Sequence, residues 1–434
     1  MDPSAPLQSN DPNQVLREQA INWYIAGEQP SVICRRLGRS RTWFYNTLKR
    51  YQRGGRAGLV SQSGAPKRVS NRTDEAVEAA IVRVRQAIMA GDEPALRYAN
   101  IGAEMIASEL QRAKMTPPSR ATIHRILRRH HLVQVRPRSP LKRRLPADYP
   151  WPCVKRPNAL HLLDFVIRAG AGVRRFYSCH LLDQARRWPF LRIITAKQVA
   201  EVSQFLVSAW QEIGLPGALY LDNDVVWAGS SSAPRTISHI VRLCLLLGVE
   251  VIFIPPYTPE ANPIIESFNR LWDRNFWQRT TFEGVPHLEQ ELGLFENYCR
   301  YRRPLAELAG WTADQLDPIF EPCRLAATFD QQQPKRLPLT AGLIHFIRFV
   351  DSEGLFTILN ETWSLPLKLA DKTIRATVDT QQQRLLVYHQ PRPDTSCDLV
   401  TEFDYPLAEK VIALSSEYIR PHVPLWSVNS SFDC

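Results

Sequence analysis

Between residues 158 and 279 the apolar positions change their rhythm several times, and each change marks an element. Ala159–Ile167, Arg174–Leu182 and Pro189–Thr195 are short apolar-rich runs that read as strands, the first two joined by the hairpin-like turn Ala169-Gly170-Ala171-Gly172. Val199–Ile213 has apolar residues at helical spacing and closes on Gly214 and Pro216. Ala218–Asp222 reads as a fourth strand, Pro234–Leu247 as a helix and Val249–Ile254 as a fifth strand. After the loop Pro255-Pro256-Tyr257-Thr258-Pro259 a helix is predicted from Ile264 to Arg279. Three strands followed by helix, strand, helix, strand, helix predict an α/β core over 158–320, a mixed five-stranded sheet covered by helices.

The flanks follow different rules. Asn13–Gly27 and Ser31–Leu37 read as helices, Gly38 breaks the chain, and Ser40 caps a third helix over Arg41–Tyr51, the order of a helix-turn-helix domain over 1–60. That third helix carries Arg41, Thr42, Asn46, Lys49 and Arg50, donors suited to phosphates and base edges. Gly54–Arg72, rich in Gly, Ser, Arg and Lys, reads as a linker. A second helix-turn-helix-like domain is predicted over 73–132, from Glu75–Ala90, Ile101–Lys114 and a helix capped by Ser119. Its last helix presents Arg120, Arg125, Arg128 and Arg129. His124, His130 and His131 nearby have no paired cysteines beside them and read as solvated or phosphate-facing. Residues 133–157 form a Pro-interrupted basic arm with Arg138, Lys142, Arg143 and Arg144, suited to tracking a DNA backbone. Past the core, Pro304–Asp317 reads as a closing helical segment. Five short strands from Leu343 to Tyr388 then predict a small β-barrel over 335–400, followed by a tail over 401–434.

Charge sharpens this division. Residues 1–158 carry 28 Lys/Arg against 12 Asp/Glu, whereas the other 276 residues have a net charge of −5. A basic front half on a body that is not basic points to nucleic acid as the partner. No run of apolar residues is long enough to span a bilayer, and the N-terminus lacks the apolar core of a signal peptide. The eight cysteines are scattered without a C-x-x-C pair, which argues for reduced thiols in a cytoplasmic protein.

Three acids interrupt the apolar runs of the core: Asp164 in His161-Leu162-Leu163-Asp164-Phe165-Val166, Asp222 in Leu221-Asp222-Asn223-Asp224, and Glu266 in Asn262-Pro263-Ile264-Ile265-Glu266. A buried carboxylate needs compensation, and a shared divalent cation is the simplest source for three of them.

The order of elements and these phrases resemble the catalytic core of the retroviral integrase superfamily, an RNase H-like fold, and within it the DDE transposases of bacterial insertion sequences. The family's Asp-Asn-Gly phrase stands here as Asp222-Asn223-Asp224, and its Pro-Tyr-x-Pro and Asn-Gly-x-x-Glu phrases as Pro256-Tyr257-Thr258-Pro259 and Asn262-Pro263-Ile264-Ile265-Glu266. The chain departs from the family at Asp224 and Pro263, where Gly is usual, and in the long spacing between Asp222 and Glu266, with Ser230–Ala233 read as the insertion. Arg270 matches one of two basic positions expected after the Glu, while Asp273 occupies the other. The resemblance implies Asp164, Asp222 and Glu266 as catalytic ligands of two Mg²⁺ or Mn²⁺ ions. It also implies 3′-end cleavage and strand transfer on double-stranded element-end and target DNA, a homo-oligomer on that DNA, and a bacterial, nucleoid-associated setting. A nuclease of this fold that does not join strands, and a DNA-binding regulator without the chemistry, are the competing readings. Asp183, a fourth acid at a strand end, is read as structural and paired with Arg186 or Arg187. Asp224 is read as a turn residue standing in for Gly.

Overall fold

The computed structural model describes residues 11–61, 72–133, 144–152, 154–170, 173–229, 233–316, 320–329, 336–392, 395–421 and 425–426. It divides into two compact units, residues 1–72 and 73–434.

The first unit is the expected helix-turn-helix. Asp11 caps α1 (Pro12–Ile25), and α2 (Pro30–Leu37) ends at Gly38, whose φ of 61° is the left-handed turn that glycine makes without strain. Ser40 then caps α3 (Arg41–Gly54) by accepting a hydrogen bond from the Trp43 N–H. Ala20, Ile33, Cys34 and Phe44 form the small core between the three helices.

The second unit begins with α4 (Glu75–Ala90), α5 (Ala103–Arg112) and α6 (Arg120–Arg129), capped by Asp74 and Ser119 where polar side chains were available. These three share a core of Ile81, Ile106, Leu110, Ile123 and Leu127. The expected separate domain over 73–132 is nevertheless grouped with the core, because Ile88, Leu96, Tyr98 and Met105 pack with the core's own apolar side chains.

The core sheet follows the expected order. β1 (Leu160–Gly170), β2 (Val173–Asp183) and β3 (Trp188–Ile194) are antiparallel, and α7 (Val199–Glu212) returns the chain to β4 (Ala218–Leu221), parallel to β1. α8 (Val225–Ala228) and α9 (His239–Leu246) lead to β5 (Glu250–Phe253), parallel to β4. α10 (Pro263–Trp272) and α11 (Val285–Tyr301) complete this part. Because side chains alternate across a strand, Leu163, Leu219, Leu221, Val251 and Phe253 join α7 and α9 on one face, while Leu162, Tyr220 and Ile252 join α10 and α11 on the other. Burial on both faces explains why β4 and β5 read as nearly continuous apolar runs.

Several expectations need correction. The helix expected over Pro234–Leu247 is confined to α9, because Ser238 caps it by accepting from the Val241 N–H. The last core helix stops at Trp272 and loosens into a π turn over Asp273–Trp277. Helix α11 had no counterpart in the sequence reading, although Leu288, Leu292, Phe295 and Cys299 recur at helical spacing and are buried. Pro304–Asp317 is not a helix: among its described residues it makes a bridge between Leu305 and Trp311 and two short 3₁₀ turns.

The largest correction concerns the C-terminal strands. These are β6 (Leu339–Thr340), β7 (Leu343–Phe349), β8 (Leu355–Ile358), β9 (Glu361–Ser364), β10 (Thr373–Asp379), β11 (Arg384–His389), β12 (Asp398–Asp404) and β13 (Val411–Ile412). The region is β-rich, as expected, but β7 lies parallel to β5, so the core sheet continues without a break into β10, β11 and β12. The result is a nine-stranded sheet, and no ladder among the described residues closes these strands into a barrel. The hairpin β8–β9 instead covers one face, burying Phe356 and Ile358. Part of the expected tail is also packed: Leu425 is buried, and Arg420 donates to the carbonyls of Leu247 and Gly248.

Candidate active site

The parallel register of β1 and β4 sets the first two acids side by side. His161 is level with Leu219 and Leu162 with Tyr220; two residues further along stand Asp164 and Asp222. Neighbouring strands lie about 4.8 Å apart, and residues two apart point the same way. Asp164 and Asp222 therefore share the face of Leu162 and Tyr220, which α10 covers. That helix buries Ile265, Phe268, Leu271 and Trp272 and carries Glu266 in its first turn. Pro263, the departure from Gly, stands at the first helical position, where a missing N–H costs nothing and the fixed φ suits the helix.

Electrostatics agrees with this placement. Burial, reinforced by the charges of Asp222 and Glu266, pushes the Asp164 carboxyl up to about 6, against the opposing hydrogen bonds from the Phe165 N–H and Asn269. Burial also raises the Asp222 carboxyl, against the opposing hydrogen bonds from the Asp224 N–H and Trp227, while the Asp224 charge adds to the rise and Lys197 opposes it. Each of these two acids is held in place. Asn269, three residues after Glu266, donates to Asp164 Oδ2 at 2.7 Å, and its own oxygen meets His180 Nδ1 at 2.7 Å. Trp227 Nε1 donates to Asp222 Oδ1 at 2.8 Å, and the Asp224 N–H donates to the same oxygen at 3.0 Å. The carboxylate of Glu266 has no hydrogen bond or ion pair among the described residues.

Asp224 is not in a glycine-like conformation: its φ is −62°. It caps α8 by accepting from the Val226 N–H, and it pairs with Lys197, which lies over the Phe165 ring. Asp183 is buried and held mainly through backbone: it accepts from the N–H groups of Asn158 and Ala185, and Arg186 meets it both through its backbone N–H and as a nearby charge. Lys197, Trp227, Asn269 and His180 escaped the sequence reading. Asn269 was the most accessible, because a polar residue three positions after Glu266 shares its helix face.

Three carboxylates with no thiol or imidazole among them are the donor chemistry of a hard divalent cation. No three His, Cys, Asp or Glu side chains among the described residues stand close enough to close around an ion. By donor type alone the set fits Mg²⁺ or Mn²⁺, with Asp164 and Asp222 oriented by protein donors.

The expected DNA contacts divide into two groups. On α3, Arg41, Thr42, Asn46 and Lys49 are exposed on one face, which Tyr45 completes at 55% exposure. Arg50 instead donates to the carbonyls of Gly58 and Val60, holding the turn after the helix. On α6, Arg125 and Arg128 are exposed, whereas Arg120 pairs with Glu104 and Arg129 with Glu78, which also takes His130. Arg144 and Arg270 are exposed. Arg138, Lys142 and Arg143 lie outside the described residues, as do Ser230, Ser231 and Ser232 of the expected insertion. Asp273, at the second expected basic position, is paired with Arg168 of β1.

Residues 22–79 match the family described as winged helix-turn helix. Among solved structures the chain is similar to a simian T-cell lymphotropic virus intasome in complex with the PP2A regulatory subunit B56 gamma. That match has 13% identity and a TM-score of 0.33 over 69% of this chain and 91% of that one. It is also similar to the catalytic core domain of BIV integrase (17% identity, TM-score 0.28, 37% of this chain and 93% of that one). The HTLV-2 integrase catalytic core domain in complex with magnesium is a third (11% identity, TM-score 0.29, 37% of this chain and 96% of that one).

Proposed function

We propose that this chain is a DDE transposase of the retroviral integrase superfamily, which binds element-end DNA and carries out metal-dependent 3′-end cleavage and strand transfer. The observation that carries the reading is the register of β1 and β4, which sets Asp164 beside Asp222 on the face where α10 presents Glu266.

Asp164, Asp222 and Glu266 would hold two divalent ions, Mg²⁺ or Mn²⁺, whose chemistry is to activate the attacking oxygen of a phosphodiester displacement and to stabilise the leaving one. The chain's own residues do the orienting. Asn269 turns Asp164, while Trp227 and the Asp224 N–H turn Asp222. The rigid first turn of α10 delivers Glu266. The exposed face of α3 suits the major groove, and Arg125, Arg128, Arg144 and Arg270 suit phosphates.

The test is cleavage and joining of the element's own end sequences in Mg²⁺. Glu266→Gln keeps the shape and removes the charge, so it is expected to retain folding and DNA binding while cleavage is lost. Near-normal nicking by that variant would overturn the assignment. Cleavage without joining by the unaltered protein would favour a nuclease of the same fold.

A further inference from the structure

Arg348 of β7 is 8% exposed, yet no carboxylate pairs with it among the described residues. Its guanidinium is held by neutral oxygens instead. Nε donates to the Thr357 carbonyl at 3.0 Å, and Nη1 donates to the carbonyls of Ile254 at 3.0 Å and Ile347 at 2.8 Å. Nη2 donates to Asn223 Oδ1 at 2.9 Å. Burial lowers its pKa to about 10, which still leaves it charged at neutral pH. Burying a guanidinium without a counter-ion is expensive, so an arginine that only filled space would be a poor choice of residue.

Its partners are informative. Asn223 directly follows Asp222, and its own Nδ2 donates to the Ile254 carbonyl at 2.6 Å. Ile254 ends the run from which the chain departs toward Glu266, and its N–H is bonded to the Leu221 carbonyl. Arg348 therefore ties together the two chain segments that leave β4 and β5 beside the site, and it does so from a strand beyond the five of the expected core.

We propose that Arg348 is a positioning residue of the active site: through Asn223 it fixes the Asp222–Asp224 segment, which makes the C-terminal strands part of the catalytic apparatus. This rests on the reading of Asp222 as a site carboxylate. It also accounts for an asparagine following that acid, since only a side chain with both an acceptor and a donor can answer Arg348 and Ile254 at once.

The test uses the full-length chain with Arg348→Lys, Arg348→Met and Asn223→Ala. The first readout is hydrogen exchange of the backbone amides over 222–228, which needs no catalysis. Arg348→Met and Asn223→Ala are each expected to speed exchange there while the amides of α7 stay protected. Adding the second substitution to the first should have little further effect. The second readout is the Mg²⁺ dependence of cleavage. Its midpoint should rise roughly 10-fold or more in Arg348→Met, as for other residues that orient a metal ligand, with the KM for DNA unchanged and a partial recovery in Arg348→Lys. Asn223→Ala keeps the test decisive should Arg348→Met not fold. Unchanged exchange over 222–228 in the folded variants would overturn the proposal, and so would activity that falls only in step with the folded fraction. Faster exchange in a chain whose unaltered form never cleaves would leave the clamp standing and remove the catalytic reading alone.

Discussion

Asp222 and Asp224 stand two residues apart and do different work. Asp222 faces the site between Trp227 and the Asp224 N–H, whereas the Asp224 side chain caps α8 and meets Lys197. Asp222→Asn is expected to abolish cleavage. Asp224→Gly keeps the N–H that holds Asp222 and loses a cap worth only a few tenths of a kcal/mol against glycine, so much of the activity should remain. A cleavage assay giving the opposite order would put the ligand at the wrong position. Asp183 supports a different expectation, about pH. Burial lifts its carboxyl to about 6, above the ordinary value of 3.8, so the folded state favours the protonated form. That contribution to stability is complete below the ordinary value and is lost as the pH rises through about 6. Asp183→Asn removes this titration but sets an amide N–H against one of the two backbone donors, so it should lie below the unaltered protein at pH 4.5 and recover something on the order of 2 kcal/mol of that difference at pH 7.5. Thermal midpoints of both proteins at the two pH values check this. At this scale Asp164, Asp222 and Glu266 stood out because an acid in an apolar run is rare, and Asp183 stood out for the same reason. The partners of those acids did not: Lys197, Trp227 and Asn269 are ordinary residues until folding brings them to a carboxylate.

Elements were legible where period and punctuation agreed. α4 and α6 begin at their polar caps, and the five core strands fall within three residues of their apolar runs. α11 carries no capping side chain and starts from Gly284, so it lacks the punctuation that marks the others, although its buried stripe is at helical spacing. It matters to the site at one remove. Phe295 packs among Tyr98, Phe268 and Phe276, so it ties the helices before the core to the one that carries Glu266. Phe295→Ala is expected to cost about 3–5 kcal/mol of stability in the larger unit. A loss within the range of a surface substitution, read from denaturant unfolding, would mean that α11 does not bear on α10 in this way. The C-terminal strands show the opposite limit. Their alternation revealed each strand, but nothing local distinguishes a strand that closes a barrel from one that joins β5, because that choice depends on a partner some ninety residues away.

For the molecule as a whole, the division at residue 72 alters where a DNA-binding piece can be cut. A fragment of residues 1–72 contains its own core and is expected to bind DNA with an affinity that falls steeply with salt. A cut at 130 would leave Ile88, Leu96, Tyr98 and Met105 without the core they pack into, and that longer piece should aggregate. Titration of both fragments against DNA over a range of salt concentrations checks the difference; a monomeric, well-behaved 1–130 piece would contradict it. The continuity of the nine-stranded sheet also sets an order in time. At roughly 5–20 residues per second, a ribosome releases the helix-turn-helix unit well before it reaches β7. Until Arg348 has emerged, Asn223 holds only one of its two partners, the Ile254 carbonyl, and β5 has an open edge. On the proposed function, the nascent protein would hold DNA while it is still unable to cut it, and a chain released early would be a binder without an edge to its blade.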